Sequence, residues 1–150
     1  MLLKFSDAAT LALHATFLLA AEAPRALSAA TIAAHLGVSE AHLSKVLQRL
    51  AKVGLIESRR GPHGGFNLGR DNEQITLLDI YEAIDGAVRE NTCLLGRDDC
   101  PIGGCIMGGL VASLSHQLRD FLAKTSLATL ARGPGTFIPL PEKKSADENA

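Results

Sequence analysis

Residues 59–65 read Arg-Arg-Gly-Pro-His-Gly-Gly, and no helix can run through them. Pro62 lacks a backbone donor, and Gly61, Gly64 and Gly65 supply the freedom a reversing chain needs. Short runs of strand-forming character lie on either side, Leu55-Ile56-Glu57-Ser58 and Phe66-Asn67-Leu68. Two such runs around a glycine-rich reversal make a β-hairpin with a basic tip. The hairpin sits directly behind a strongly amphipathic stretch, so any fold for this chain must place a small two-stranded element against helices.

The helices can be read from their caps and their apolar spacing. Ser6 can cap a helix running to about Ala21, with Leu11, His14/Ala15, Leu18 and Leu19 on one side and Pro24 closing it. Ser28 can cap Ala-Ala-Thr-Ile-Ala-Ala-His-Leu, and Gly37 then permits a tight turn. Ser39 can cap a helix over residues 40–53 that buries Leu43, Val46, Leu47 and Leu50. Its outward residues are His42, Ser44, Lys45, Gln48, Arg49 and Lys52. Two short helices joined at a glycine form a helix-turn-helix, and the hairpin behind it reads as a wing able to reach phosphates or the minor groove. Thr76 begins a further helix with Asp79 at the reciprocal capping position and Ile80, Ile84 and Val88 on one side. From Ile106 a long helix presents Met107, Leu110/Val111, Leu114, Leu118 and Phe121, a seam suited to dimerisation or to intramolecular packing.

The apolar fraction of 47% can fill a core, while aromatics at 4% and no Trp favour helix packing over a β-sandwich. The expected fold class is mainly α with a small β-hairpin wing, a winged helix-turn-helix joined to a long dimerisation helix. The net charge of −1 conceals a partition. Residues 41–70 carry Lys45, Arg49, Lys52, Arg59, Arg60 and Arg70 against Glu57 alone, whereas residues 71–99 are predominantly acidic. A basic segment in a neutral protein is the footprint of a nucleic-acid reader, or simply a solvated charged face. The apolar N-terminal stretch Leu-Ala-Leu-His-Ala-Thr-Phe-Leu-Leu-Ala-Ala-Glu-Ala resembles a signal peptide in composition, but His14 interrupts it and Asp7 stands just ahead of it. It reads instead as a first helix, and the expected location is cytoplasmic, with no membrane partner.

Cys93, Cys100 and Cys105 are the only cysteines and share one 13-residue stretch, CLLGRDDCPIGGC. An odd number cannot pair completely within one chain, so a disulfide framework is not expected. Soft thiolates at this density suit an iron–sulfur cluster, a zinc ion or a redox switch. Met107 reads as core and His116 as an exposed helix residue, although either could compete as a ligand. The five histidines make no ligand motif, and no phosphate loop, metalloprotease signature or nucleophile elbow is present, which argues against an enzyme.

The hairpin pattern GL-I-x-S-x-RG-x-x-GG-F, followed one helix later by the cysteines, strongly resembles the Rrf-type winged-helix regulators, a family that includes the IscR and NsrR regulators. The resemblance covers roughly residues 1–131. It implies a homodimer binding a palindromic double-stranded operator, and in members with three cysteines an iron–sulfur cluster, here [4Fe-4S] in preference to [2Fe-2S]. The cysteine spacing departs from the common C-x5-C-x5-C pattern, being C-x6-C-x4-C, and Gly108 stands where IscR-like members carry a histidine. Leu-Leu-Lys-Phe-Ser-Asp-Ala-Ala resembles the NsrR-like, nitric-oxide-sensing branch, which implies Asp7 of the partner subunit as fourth ligand. Without the resemblance, Asp7 is a first-turn residue favoured by the helix dipole.

The resulting expectation is a transcriptional regulator, in the repressor sense, switched by a cluster that senses nitric oxide or another small redox effector. The alternative is a cluster-free thiol-redox or zinc-loaded regulator of the same fold. Its DNA-binding residues would be Ser39, His42, Ser44, Lys45, Gln48, Arg49, Arg59, Arg60 and His63. Its metal-binding residues would be Cys93, Cys100, Cys105 and Asp7. The expected units are a winged helix-turn-helix domain over 1–88, a cysteine loop over 89–105, a dimerisation helix over 106–131 and a flexible tail over 132–150.

Overall fold

Hydroxyl side chains start the helices where local chemistry calls for them. In the computed structural model, which describes residues 4–88 and 93–132, Ser6 caps α1 (Asp7–Glu22), its Oγ accepting from Ala9 N at 3.0 Å. Ser28 caps α2 (Ala29–Leu36) and Ser39 caps α3 (Glu40–Lys52). Between them Gly37 takes the left-handed conformation, φ +66°, which lets the chain turn without a steric penalty. Strands β1 (Ile56–Arg59) and β2 (Gly65–Leu68) pair antiparallel with Ile56 opposite Leu68 and Arg59 opposite Gly65. Thr76 and Asp79 form a reciprocal capping box at the start of α4 (Leu77–Asp85). Two further helices follow, α5 (Leu110–Lys124) and α6 (Leu127–Ala131).

The hairpin is anchored by a contact between distant parts of the sequence. Leu27 bridges to Phe66, with Leu27 N donating to Phe66 O at 3.0 Å and Phe66 N to Leu27 O at 2.7 Å. This close approach accounts for Gly65, where a Cβ would lie 2.6 Å from the Leu27 backbone. The core gathers α1 against α3, α4 and α6. Ala9, Ala12 and Ala15 are fully buried and keep the α1 surface low, so that neighbouring helices approach it closely, while Leu18 and Leu19 fill the space further along. From α3, Leu43, Val46, Leu47 and Leu50 are buried as the spacing requires.

The long helix expected from Ile106 differs at both ends. It begins at Leu110, because Gly108 at φ +58° and Gly109 turn the chain first. It stops at Lys124, where Thr125 becomes extended and its Oγ1 bonds back to Phe121 O at 2.7 Å. Thr76 and Ser126 then form an antiparallel bridge, and α6 returns to pack on α1. Within the region read for dimerisation, Leu127 and Ala128 are thus buried, whereas Thr129, Leu130 and Ala131 are exposed. Met107, expected in the core, is 45% exposed. Arg132, placed at the head of the tail, caps α6 and pairs with Glu73. Residues 89–92 of the cysteine loop and 133–150 of the tail lie outside the described residues.

On α5 the two faces divide cleanly. Val111, Ser115 and Leu122 are buried, whereas Leu110, Leu114 and Phe121 are exposed, as are Ile106 and Met107 just before the helix. Among the described residues no helix is long and apolar enough to cross a membrane.

Candidate nucleic-acid interface and cysteine cavity

The outer face of α3 carries His42, Lys45 and Gln48 in the open, with Ser44 half-buried beside them. All four are held by a helix whose opposite face is locked in the core, so their positions are fixed by packing rather than by loops. Ser39 is exposed, and its hydroxyl is occupied as the cap, accepting from His42 N at 3.4 Å. Arg49 is exposed beside these residues, as the spacing requires. Its Nη2 also donates to Ile84 O at 2.6 Å, at the C-terminal end of α4, which ties the guanidinium to a helix terminus.

The hairpin tip places Arg59, Arg60 and His63 in solvent. Arg59 also meets Glu57 across 3.3 Å, an exposed pair of small energetic weight. Between this hairpin and the start of α2 lies a groove of about 1140 Å³. Arg25, His35, Arg59 and His63 line it together. Neither Arg25 nor His35 was among the DNA-binding residues expected from the sequence. Nothing local marks either one, since the groove exists only because Leu27 pairs with Phe66.

The three cysteines converge. Cys93, Cys100 and Cys105 line one cavity of about 450 Å³, together with Asp98, Asp99 and the glycines at 103, 104, 108 and 109. Cys93 is buried, and the other two are half-buried. The Leu95 backbone N–H holds the Cys93 thiol below its ordinary pKa, against the opposing effect of burial, and the Cys100 thiol and Arg97 N–H add to it. A thiol so placed offers its thiolate more readily to an electrophile or a metal. Among the described residues no three His, Cys, Asp or Glu side chains already close around a single ion. Asp7 is exposed in the first turn of α1 and is not among the residues lining this cavity.

A family model described as Rrf2, iron-dependent transcriptional regulator, matches residues 5–133. The chain belongs to the Rrf2 family. The transcriptional regulator IscR of Xenorhabdus nematophila is 34% identical over 120 residues, covering 79% of this chain and 72% of that relative. In other IscR relatives the matched share is smaller, down to 58% of the Vibrio cholerae protein. Among solved structures, the global cysteine regulator CymR of B. subtilis has a TM-score of 0.73 at 28% identity, covering 86% of this chain and 96% of that one. The IscR of T. potens gives 0.66 at 26% identity, with 85% of both chains covered. The winged-helix fold class read from the sequence is therefore the fold of this Rrf2 chain. Membership makes it a DNA-binding transcriptional regulator, a class that does not comprise enzymes.

Proposed function

We propose that this Rrf2 regulator is a homodimeric repressor whose operator affinity is switched by an iron–sulfur cluster. The observation that carries the reading is the convergence of all three cysteines on one cavity, with Cys93 both buried and acidified. Cys93, Cys100 and Cys105 would supply soft thiolates, and Asp7 of the partner subunit a harder fourth ligand. A [4Fe-4S] cluster is preferred over [2Fe-2S]. When bound, such a cluster supplies a centre reactive toward nitric oxide or other small redox species. The NsrR-like assignment within the family rests on Asp7 and on Gly108 in place of a histidine, since the relatives compared are of the IscR and CymR kinds.

The chain's own part is to read DNA in two places. The α3 face, with His42, Ser44, Lys45 and Gln48, would enter the major groove, and Arg59, Arg60 and His63 of the hairpin would reach the flanking backbone. Ser39, exposed at the start of α3, would lie beside the phosphates. Arg60→Ala is expected to weaken binding to all duplexes and to lower the slope of log affinity against log salt by about 1, because one phosphate contact and its counterion release are lost. Gln48→Ala should instead change the preference among sequences. Salt titrations of both variants check this, and an unchanged slope for Arg60→Ala would remove the hairpin from the interface.

The deciding experiment is anaerobic purification, with iron and labile sulfide measured beside the visible spectrum during nitric oxide titration. A sulfide-bearing chromophore that bleaches as duplex affinity changes supports the proposal; a colourless protein lacking sulfide rejects it. A second reading is favoured by the contact between the Cys93 and Cys100 thiols. On that reading the same cysteines act without iron, as a thiol-redox pair or around zinc, and the protein carries zinc or forms a reversible disulfide instead.

A further inference from the structure

The groove between the hairpin and α2 has basic side chains at both ends and on both walls. Arg25 stands at one end, on the connection that leads into α2, and His35 at the other, in the last turn of that helix. Arg59 and His63 belong to the facing hairpin wall. All four are exposed, and no Asp or Glu lines the groove. Between Arg25 and His35, the exposed lining residues of α2 are Ala30 and Ala34, whose methyl groups keep that wall low. The hairpin cannot swing to close the opening unless the two backbone bonds joining Leu27 to Phe66 break.

Length and charge together suit one strand of a duplex. The eight residues of α2 span about 12 Å, the axial rise of three to four nucleotides in one strand. At about 1140 Å³ the groove exceeds the roughly 300–1,000 Å³ usual for small-molecule pockets. Both arginines already hold a carboxylate from outside the lining, Arg25 with Glu22 and Arg59 with Glu57, each at 3.3 Å. Exposed pairs of this kind are weak, so a phosphate can displace either acid at little cost. Arg59 and His63 are also the hairpin residues that reach the backbone in the reading above, and the strand they touch has the groove beside it. We propose that this groove seats the DNA sugar–phosphate backbone, with Arg25 and His35 as phosphate contacts beyond the α3 face and the hairpin tip. The inference rests on the DNA-reading surfaces proposed above and is independent of the cluster.

The test compares full-length wild type, Arg25→Ala, Arg25→Lys and His35→Ala on a duplex selected in vitro by the wild-type protein. Arg25→Ala should weaken binding to every duplex alike and reduce the salt slope by about 1. A fourfold rise in salt then costs the variant about three- to fourfold less affinity than it costs wild type. Arg25→Lys should restore the slope, since a point charge suffices for a phosphate. Single methylphosphonate substitutions in the duplex locate the contacts. Wild type should lose affinity at a short run of phosphates in one strand. Arg25→Ala should be indifferent to one position in that run while staying sensitive elsewhere. His35→Ala should be indifferent to a second position, within about three to four nucleotides of the first. Thermal unfolding in inorganic phosphate, against chloride at equal ionic strength, separates a DNA strand from a free anion. A phosphate-dependent rise in Tm that Arg25→Ala abolishes, with duplex affinity unchanged, would make the groove a small-anion site and overturn the proposal. An unchanged salt slope for Arg25→Ala, or a wild-type methylphosphonate pattern in both alanine variants, overturns it as well. If Arg60→Ala and Gln48→Ala leave binding unaltered while Arg25→Ala lowers the slope, the earlier choice of reading residues fails and the groove stands.

Discussion

Cys93→Ser is expected to abolish cluster retention, leaving iron and labile sulfide at background after anaerobic reconstitution. A serine hydroxyl is a harder ligand and stays protonated where the thiol ionises, so it cannot replace a soft anionic donor. The effect should be total for Cys93, which is buried and acidified, and equally so for Cys100 and Cys105, since neighbouring side chains in the cavity offer only carboxylates. None of the three sulfurs belongs to the main apolar core. Thermal unfolding of the cluster-free variants should therefore follow that of the cluster-free wild type closely. Duplex affinity of all three variants should match that cluster-free state and no longer respond to nitric oxide. A serine variant with full sulfide content would show that its position is not a ligand, and persistence of all three clusters would place the site elsewhere.

What could be read from the sequence is what is decided within a few residues. Ser6, Ser28, Ser39 and Thr76 cap helices through bonds spanning three positions, so each start was legible from residue type and spacing. The hairpin followed in the same way from Gly61, Pro62, Gly64 and Gly65. The cysteine site was visible as a cluster in the chain, and folding only had to bring it onto one cavity. Arg49 shows where such reading stops. On the α3 helical wheel it lies among outward polar residues, and only the arrival of Ile84, thirty-five positions later, gives it a partner. Asp85 and Ser6 are seventy-nine apart, and their pairing leaves no local trace. The break between α5 and α6 has the same origin. Thr125 has no intrinsic need to leave the helix, but Leu127 N finds Ile75 O at 2.9 Å and Leu77 N finds Thr125 O at 2.9 Å once the strand-like bridge can form.

The second large effect is expected at the exposed face of α5. Leu110, Leu114 and Phe121 are 47%, 40% and 57% exposed, on a helix whose other face already has its core. A contiguous apolar stripe of this kind calls for a cover, and a twofold axis would supply it by setting the same stripe against itself. In such a seam every substitution is present twice and faces its own copy or its neighbour. Leu114→Asp with Phe121→Asp would then bring four carboxylates into an apolar contact without cationic partners. The cost of uncompensated charge in such a place is about 3–5 kcal/mol, which alone weakens association by roughly two to nearly four powers of ten. Because both side chains are exposed in the single chain, the monomer should keep its helix content, whereas a Leu118 substitution would also disturb the core it packs against. Sedimentation velocity at micromolar concentration should show the double variant as monomer. Its affinity for a palindrome should fall to that for an isolated half-site, since one reading head no longer holds the other near the DNA. A double variant that sediments as an unaltered dimer would move the twofold interface away from α5. The loss of palindrome binding would then need another cause.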